Sequence, residues 1–267
     1  MYRLVVEYDG TGFCGAQYLP DQRTVAGTLE SALSRLFESP IKLTIAGRTD
    51  AGVHALGQVV SFRGRADFPV ERLAIATNSQ LPNDVSVRDA SRVADDFSAR
   101  FSAFERRYAY LVLARAAPCA PFRRFAHFEY RELDLEGLRE AARTLVGEHD
   151  FASFCADPPL RGGTVRTIRA FEIERDADLV RFRLRGNGFL HRMVRIVVGT
   201  LLEIGTGRRH LAELPAILAA RDRRVAGPTA PPQGLFLTGV SYPGFESDGT
   251  FGSLFAASPQ PSTGAPD

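Results

Sequence analysis

This sequence predicts an α+β fold made of two mixed units with mainly antiparallel sheets. Three observations carry that expectation. The chain has 267 residues, which at about 150 residues per domain is roughly two units. Its 45% apolar and 24% charged residues are globular values, which exclude wholesale disorder and collagen-like repeats. Strand patterns and about two helix-period segments recur in each half. We read one unit over residues 1–99, a second over 100–244, joined edge to edge, and a disordered tail over 245–267.

The elements follow in order. Leu4-Val5-Val6-Glu7-Tyr8 reads as a strand that Asp9-Gly10-Thr11-Gly12 ends. Leu29, Ala32, Leu33 and Leu36 have helical spacing over residues 28–37, and Pro40 follows. Short strands are expected at 43–46 and 58–62, with a glycine-bounded loop between them. A helix is expected over 70–76 and a strand over 85–88. In the second half, residues 108–113 read as a strand and 135–146 as an amphipathic helix. Residues 171–184 read as a hairpin, 188–204 as a long helix, 211–219 as a short one, and 235–240 as a last strand. The Gly/Ser/Pro-rich composition after Tyr242 gives the tail expectation.

The hairpin carries a row of arginines, Arg181, Arg183 and Arg185, alternating with Val180, Phe182 and Leu184. A two-residue turn at Ala177-Asp178 sets Glu174 opposite Arg181, Glu172 opposite Arg183 and Ile173 opposite Phe182. Cross-strand ion pairing therefore explains the row better than an RNA-facing comb.

No apolar run reaches the roughly 18 residues of a membrane span, and Met1-Tyr2-Arg3-Leu4-Val5-Val6 goes directly into a strand pattern rather than a secretory signal. Cys14, Cys119 and Cys155 are odd in number and far apart, so no zinc or redox pair is expected and a reducing cytoplasm fits. The net charge of +2 is unevenly placed. Residues 1–99 carry 9 Arg, 1 Lys and 12 acids, and residues 100–267 carry 23 Arg and 19 acids. Arginine suits phosphate forks and base stacking, so nucleic acid stays open as a partner.

The segment with most chemistry is the loop Gly47-Arg48-Thr49-Asp50-Ala51-Gly52-Val53-His54-Ala55. Its glycines let the backbone bend between two apolar strands and bracket a cation, a hydroxyl, a carboxylate and an imidazole. Arg48 and Asp50 are two apart, so in an extended stretch both point the same way, and a neighbouring guanidinium favours an ionised carboxylate that can act as nucleophile or base. A plain Asx turn explains the same residues. His54 is equally a helix-start or core histidine. No serine or cysteine nucleophile elbow accompanies the loop, and no second cluster has metal-ligand spacing.

This loop resembles the signature of the tRNA pseudouridine synthase A (TruA) family. Further blocks are similar in order: Tyr8-Asp9-Gly10-Thr11 with Phe13, Gly15 and Gln17; Phe97 through Phe101 with Arg107-Tyr108-Ala109-Tyr110; residues 147–154; Arg166-Thr167-Ile168; residues 188–195; and residues 230–235. The resemblance runs from about Tyr2 to Tyr242. Ala16 departs from it, standing where the family usually has Trp.

The resemblance implies a pseudouridine synthase-like fold around a central basic cleft. It implies an isomerase that converts uridine to pseudouridine in the tRNA anticodon stem-loop, at positions 38 to 40. It places the catalytic carboxylate at Asp50 and substrate-binding roles at Tyr108, Arg48 and Arg195, with Leu235 walling the base pocket. No cofactor and no metal are expected, consistent with the missing dinucleotide and P-loop fingerprints. The partners implied are tRNA and a second copy of the chain, with no membrane, in the cytoplasm. Arg123, Arg124, Arg208 and Arg209 are candidates for phosphate contact. His191, Arg192 and Arg195 are expected on one helix face. The rival readings are a non-catalytic RNA-binding module of the same fold and a hydrolase using Asp50, which lacks an evident second carboxylate.

Overall fold

The computed structural model describes residues 1–159 and 162–249. Among them, eleven strands form a single sheet: β1 (Tyr2–Tyr8), β2 (Thr44–Ile45), β3 (His54–Phe62), β4 (Val85–Arg92), β5 (Glu105–Ala114), β6 (His127–Glu129), β7 (Gly147–Asp150), β8 (Val165–Asp176), β9 (Leu179–Gly186), β10 (Leu235–Tyr242) and β11 (Phe245–Asp248). The central path runs β4-β1-β3-β10-β5-β9-β8-β7. Most pairs are antiparallel. β10 lies parallel to β3, with Phe236 opposite His54, and antiparallel to β5, with Leu237 opposite Tyr108. The last long strand is thus the seam between the strands of the two chain halves, and it carries residues of both beside one another.

Five helices, α1 (Val25–Phe37), α2 (Val70–Asn78), α3 (Leu135–Thr144), α4 (Met193–Gly205) and α5 (Leu214–Ala220), are described. None is long and apolar enough to cross a membrane. α1 starts earlier than the expected residue 28, because the Thr24 side chain accepts the Gly27 N–H and caps the helix there. Tyr2, Phe37 and Phe62 pack edge-on and stacked in the core. Phe151, Phe154 and Phe182 are fully buried beyond the seam.

Three expectations need correction. β3 begins at His54 rather than Gln58, so the loop is shorter than the glycines suggest. The long helix begins at Met193, not Gly188. Arg192 has a left-handed backbone (φ 59°) that α-helix does not continue through, so His191 and Arg192 precede the helix and share no helix face with Arg195. The tail is not disordered from 245: Phe245–Asp248 is β11, paired with β10. The remainder of that tail, from residue 250, lies outside the described residues. The hairpin has the expected register, with Glu172 opposite Arg183, Ile173 opposite Phe182 and Glu174 opposite Arg181. Arg183 pairs with both glutamates, and Arg181 pairs with Asp176 at 2.9 Å.

α4 is apolar nearly all round and buried on nearly every side. Gly199 lets the 228–230 segment lie against it: a Cβ there would stand 1.8 Å from the Pro228 carbonyl oxygen. That segment in turn receives Arg195, whose Nε donates to the Ala230 carbonyl at 2.8 Å while the Ala230 N–H donates to the Arg195 carbonyl at 3.0 Å. Gly199→Ala is therefore expected to cost about 1–3 kcal/mol or more in stability and to shift Arg195. Denaturant melts check it, and a variant as stable as the parent contradicts it.

Candidate active site

The loop from Gly47 to Val53 is braced by side chains from two strands. Gln58, fully buried in β3, accepts the Gly47 N–H at 3.2 Å and donates to the Gly47 carbonyl at 2.6 Å. The Tyr8 hydroxyl at the end of β1 bonds the Thr49 hydroxyl at 2.8 Å. From the opening loop, the Ala16 N–H donates to the Thr49 carbonyl at 3.0 Å. Gly52 takes φ +78° and turns the chain back, and the Val53 N–H bonds the Asp50 carbonyl at 3.1 Å. Asp50 stands at the tip of this brace.

The Asp50 carboxylate meets two groups from the other half of the chain. Arg195, in the first turn of α4, donates from Nη1 to Oδ2 at 2.6 Å. His191 places Nε2 3.6 Å from Oδ1 and holds the Asp157 carboxylate at 2.7 Å with Nδ1. The arrangement is carboxylate, imidazole, carboxylate, with the guanidinium on the far oxygen.

Two cavities meet here. A small inner one is lined by Asp50, Tyr108, Phe189, Met193 and Leu235. Arg48 and Arg192 line both it and a cleft of about 550 Å³, which adds Arg100, Phe101, Arg106 and Arg166. That volume accommodates a nucleotide-sized ligand. Arg48, Arg100 and Arg192 are exposed and pair with no carboxylate among the described residues, so the cleft is basic. Another cavity of about 540 Å³ lies beside Arg107, Arg181 and Arg183, and each of those three already faces a carboxylate.

Tyr108, on β5, sets its ring edge-on to Phe189 at 5.1 Å. Burial pushes its hydroxyl well above the usual phenol range. Tyr8 and Asp50 push the same way, and Arg106 opposes them. Burial likewise pushes the Tyr8 hydroxyl up to about 12. Both side chains are therefore neutral phenols, Tyr108 lining the cleft and Tyr8 bonded to Thr49 behind it.

Most of the basic cleft, including Asp50, Arg100, Phe101, His191 and Arg192, lies in segments that a family sequence model also matches, whereas Arg106 and Tyr108 lie between them. That model, of tRNA pseudouridine synthases, covers residues 4–102 and 141–243. The chain belongs to the tRNA pseudouridine synthase family. It is an isomerase acting on tRNA. It is 49% identical over 233 residues to tRNA pseudouridine synthase A of Halalkalibacterium halodurans, covering 87% of this chain and 89% of that one. It is 46% identical to the protein of that name from Bacillus pumilus, covering 90% and 98%. With the Nitrosomonas eutropha protein it shares 44%, covering 90% and 86%.

Within this synthase the structure brings together Asp50, Tyr108, Arg195 and Leu235. It does not pair Arg48 with Asp50. Arg48 is exposed, and the carboxylate's cation is Arg195, 145 residues away in sequence. Both residues line the same cavities, but the Arg48 side chain stays in solvent rather than on the carboxylate. Arg209 is no free surface arginine either, since it pairs with Glu203 at 3.0 Å and Glu213 at 3.2 Å. Arg123, Arg124 and Arg208 are exposed. His191 reaches Asp50, but from the turn before α4 rather than from its face. Among the described residues no three His, Cys, Asp or Glu side chains are grouped to hold a metal ion.

His54 is a core residue. It is fully buried, stacks on Phe236 at 4.6 Å, and its Nδ1 accepts the Gly10 N–H at 3.0 Å. Burial pulls its imidazole below the usual 6.5, against the opposing pull of Asp9. The unfolded chain therefore takes up a proton at a pH where the folded protein does not, and this histidine's contribution to stability is lost as pH falls below 6.5. An NMR titration of the His54 ring is expected to show a midpoint below that value, and a midpoint above it contradicts the packing described.

Proposed function

We propose that this chain converts uridine to pseudouridine in the anticodon stem-loop of tRNA, at positions 38 to 40, with Asp50 as the reacting carboxylate. The observation that carries the reading is the Asp50–Arg195 ion pair at 2.6 Å on the floor of a basic cleft. The reaction breaks N1–C1′, turns the uracil, joins C5 to C1′, releases the C5 proton to water and leaves N1 with one proton taken from water. Atoms and electrons balance within the nucleotide, so no redox partner is consumed. An ionised carboxylate serves either attack on C1′ or removal of a sugar proton to give a glycal. Oδ2 is engaged by Arg195 at 2.6 Å, whereas Oδ1 faces His191 at the longer 3.6 Å, which makes Oδ1 the reacting oxygen.

In this reading Tyr108 stacks on the extruded uracil, and Leu235 walls the other side. The Tyr108 hydroxyl enters as a phenol, so accepting the C5 proton requires it to pass its own proton on in the same step. Arg48 and Arg192 hold phosphate at the cleft mouth and help offset the few kcal/mol of base extrusion. The same proposal includes a homodimer with tRNA across both copies, a cytoplasmic setting, and chain halves meeting at residues 99 and 100. The test is to incubate the protein with unmodified tRNA transcripts and map pseudouridine along them. Pseudouridine confined to positions 38 to 40 is expected. RNA bound without any pseudouridine would instead support a binding module of the same fold.

A further inference from the structure

We propose that Phe101 is a stacking shelf for the nucleobase next to the uridine that enters the cleft. Phe101 is 80% exposed, yet it lines the same cleft as Asp50. It lines the cleft of about 550 Å³ and not the small cavity beside Leu235, so with the uracil against Tyr108, as proposed above, the ring is left for the adjoining base. A second base therefore meets Phe101 as the strand leaves the pocket.

The ring is presented on a rigid turn rather than a loose loop. The Ser102 N–H donates to the Ser98 carbonyl at 3.0 Å, the Ser98 N–H to the Ser102 hydroxyl at 3.0 Å, and the Phe101 N–H to the Ser98 hydroxyl at 3.3 Å. Ala99 is tied at both ends, its N–H to the Ser61 hydroxyl at 3.0 Å and its carbonyl to the Tyr242 hydroxyl at 2.6 Å. Arg106 donates to the Arg100 carbonyl at 2.6 Å and, from the same nitrogen, to the Ala46 carbonyl at 3.3 Å. One guanidinium thus fixes the Phe101 turn to the start of the Asp50 loop. Six hydrogen bonds hold in place a turn whose phenyl ring is left in water, which is the design of a preformed contact.

The flanking charges select the occupant. Arg100 lies over the Phe101 ring at 5.2 Å, and Arg48, Arg100 and Arg192 around it pair with no carboxylate among the described residues. Phosphates neutralise such cations while a base stacks on the ring, whereas an apolar protein surface leaves the cations unmatched. Every base offers a π-face, so the shelf holds the strand without reading its sequence.

This inference rests on tRNA being the substrate, and its test separates the two. Affinity and single-turnover rate are measured for the parent, Phe101→Ala and Phe101→Trp. The RNAs are intact tRNA and two versions abasic at the 5′ or the 3′ neighbour of the target uridine. Phe101→Ala is expected to weaken binding of intact tRNA by about 5- to 100-fold, and Phe101→Trp to restore it. On one abasic RNA the parent should lose a similar factor and Phe101→Ala should lose little more, because both changes remove the same contact. Unchanged affinity in Phe101→Ala, or losses that multiply on both abasic RNAs, would overturn the shelf. So would a dimer that falls to monomers in Phe101→Ala, which would put a second copy on the ring, or a lowered melting temperature, which would put the ring in the packing. If the parent makes no pseudouridine at all, the functional reading fails while the binding cycle still decides on Phe101.

Discussion

The Asp50→Asn variant is expected to fold and bind tRNA as the parent does and to form no measurable pseudouridine. The exchange keeps the shape of the side chain. It also keeps an oxygen for the Arg195 Nη1, now as a neutral amide accepting the bond seen at 2.6 Å. The brace beneath it does not involve the carboxylate, since Gln58, Tyr8 and the Ala16 N–H hold Gly47 and Thr49 instead. Stability should therefore change little. An amide oxygen neither attacks C1′ usefully nor takes a proton from the sugar, so turnover should fall by roughly 10⁴-fold or more, the scale on which removal of a reacting side chain acts. Mass-spectrometric counting of pseudouridine, with melting curves and tRNA affinity alongside, reads all three quantities. Activity within tenfold of the parent would remove Asp50 from the chemistry.

The second large effect is expected at Arg195. Its side chain is 11% exposed and that of Asp50 21%, so the pair sits where water screens it only in part. Arg195→Met removes the charge that faces Oδ2 and the Nε bond to Ala230 together. A loss of about 1–3 kcal/mol in stability is expected for groups left without partners in such a place. Turnover should drop by about 10²-fold, because the carboxylate is then oriented by His191 alone. Arg195→Lys keeps the charge but cannot donate to both Asp50 and Ala230 from one planar fork. It should fall between the two, with more of its defect in kcat than in tRNA affinity. A methionine variant with the parent's kcat would show that the ion pair is only a structural contact.

Part of this was legible in the sequence. The hairpin register followed from alternation, because a one-residue slip would have turned Val180, Phe182 and Leu184 to the solvent face. Asp50, Tyr108 and Arg195 came from the order of motifs, and the structure brings them to one cleft. Other features depend on what lies far off in sequence. That β10 separates β3 from β5 cannot be read locally, because strand order is a property of the whole sheet. The early start of α1 has a signal in Thr24, an N-cap residue type just ahead of the helix. The late start of α4 did not, since Arg192 adopts its left-handed backbone without being a glycine. Gln58 left a trace too, as an amide within the apolar run Gln58-Val59-Val60-Ser61-Phe62, where a buried polar group needs a partner. β11 was hidden because its residues sit in Gly/Ser/Pro-rich composition that otherwise reads as tail.

A uridine of the anticodon stem-loop is expected to exchange its C5 hydrogen for a bond to the sugar inside the Asp50 cleft. The most direct measurement is tritium release from tRNA labelled at uridine C5, with the unaltered protein and no added cofactor. One tritium should appear in water for each pseudouridine formed, and release should disappear when positions 38 to 40 carry cytidine. Bound tRNA that releases no tritium, or release that persists undiminished from the cytidine-substituted tRNA, would contradict the account.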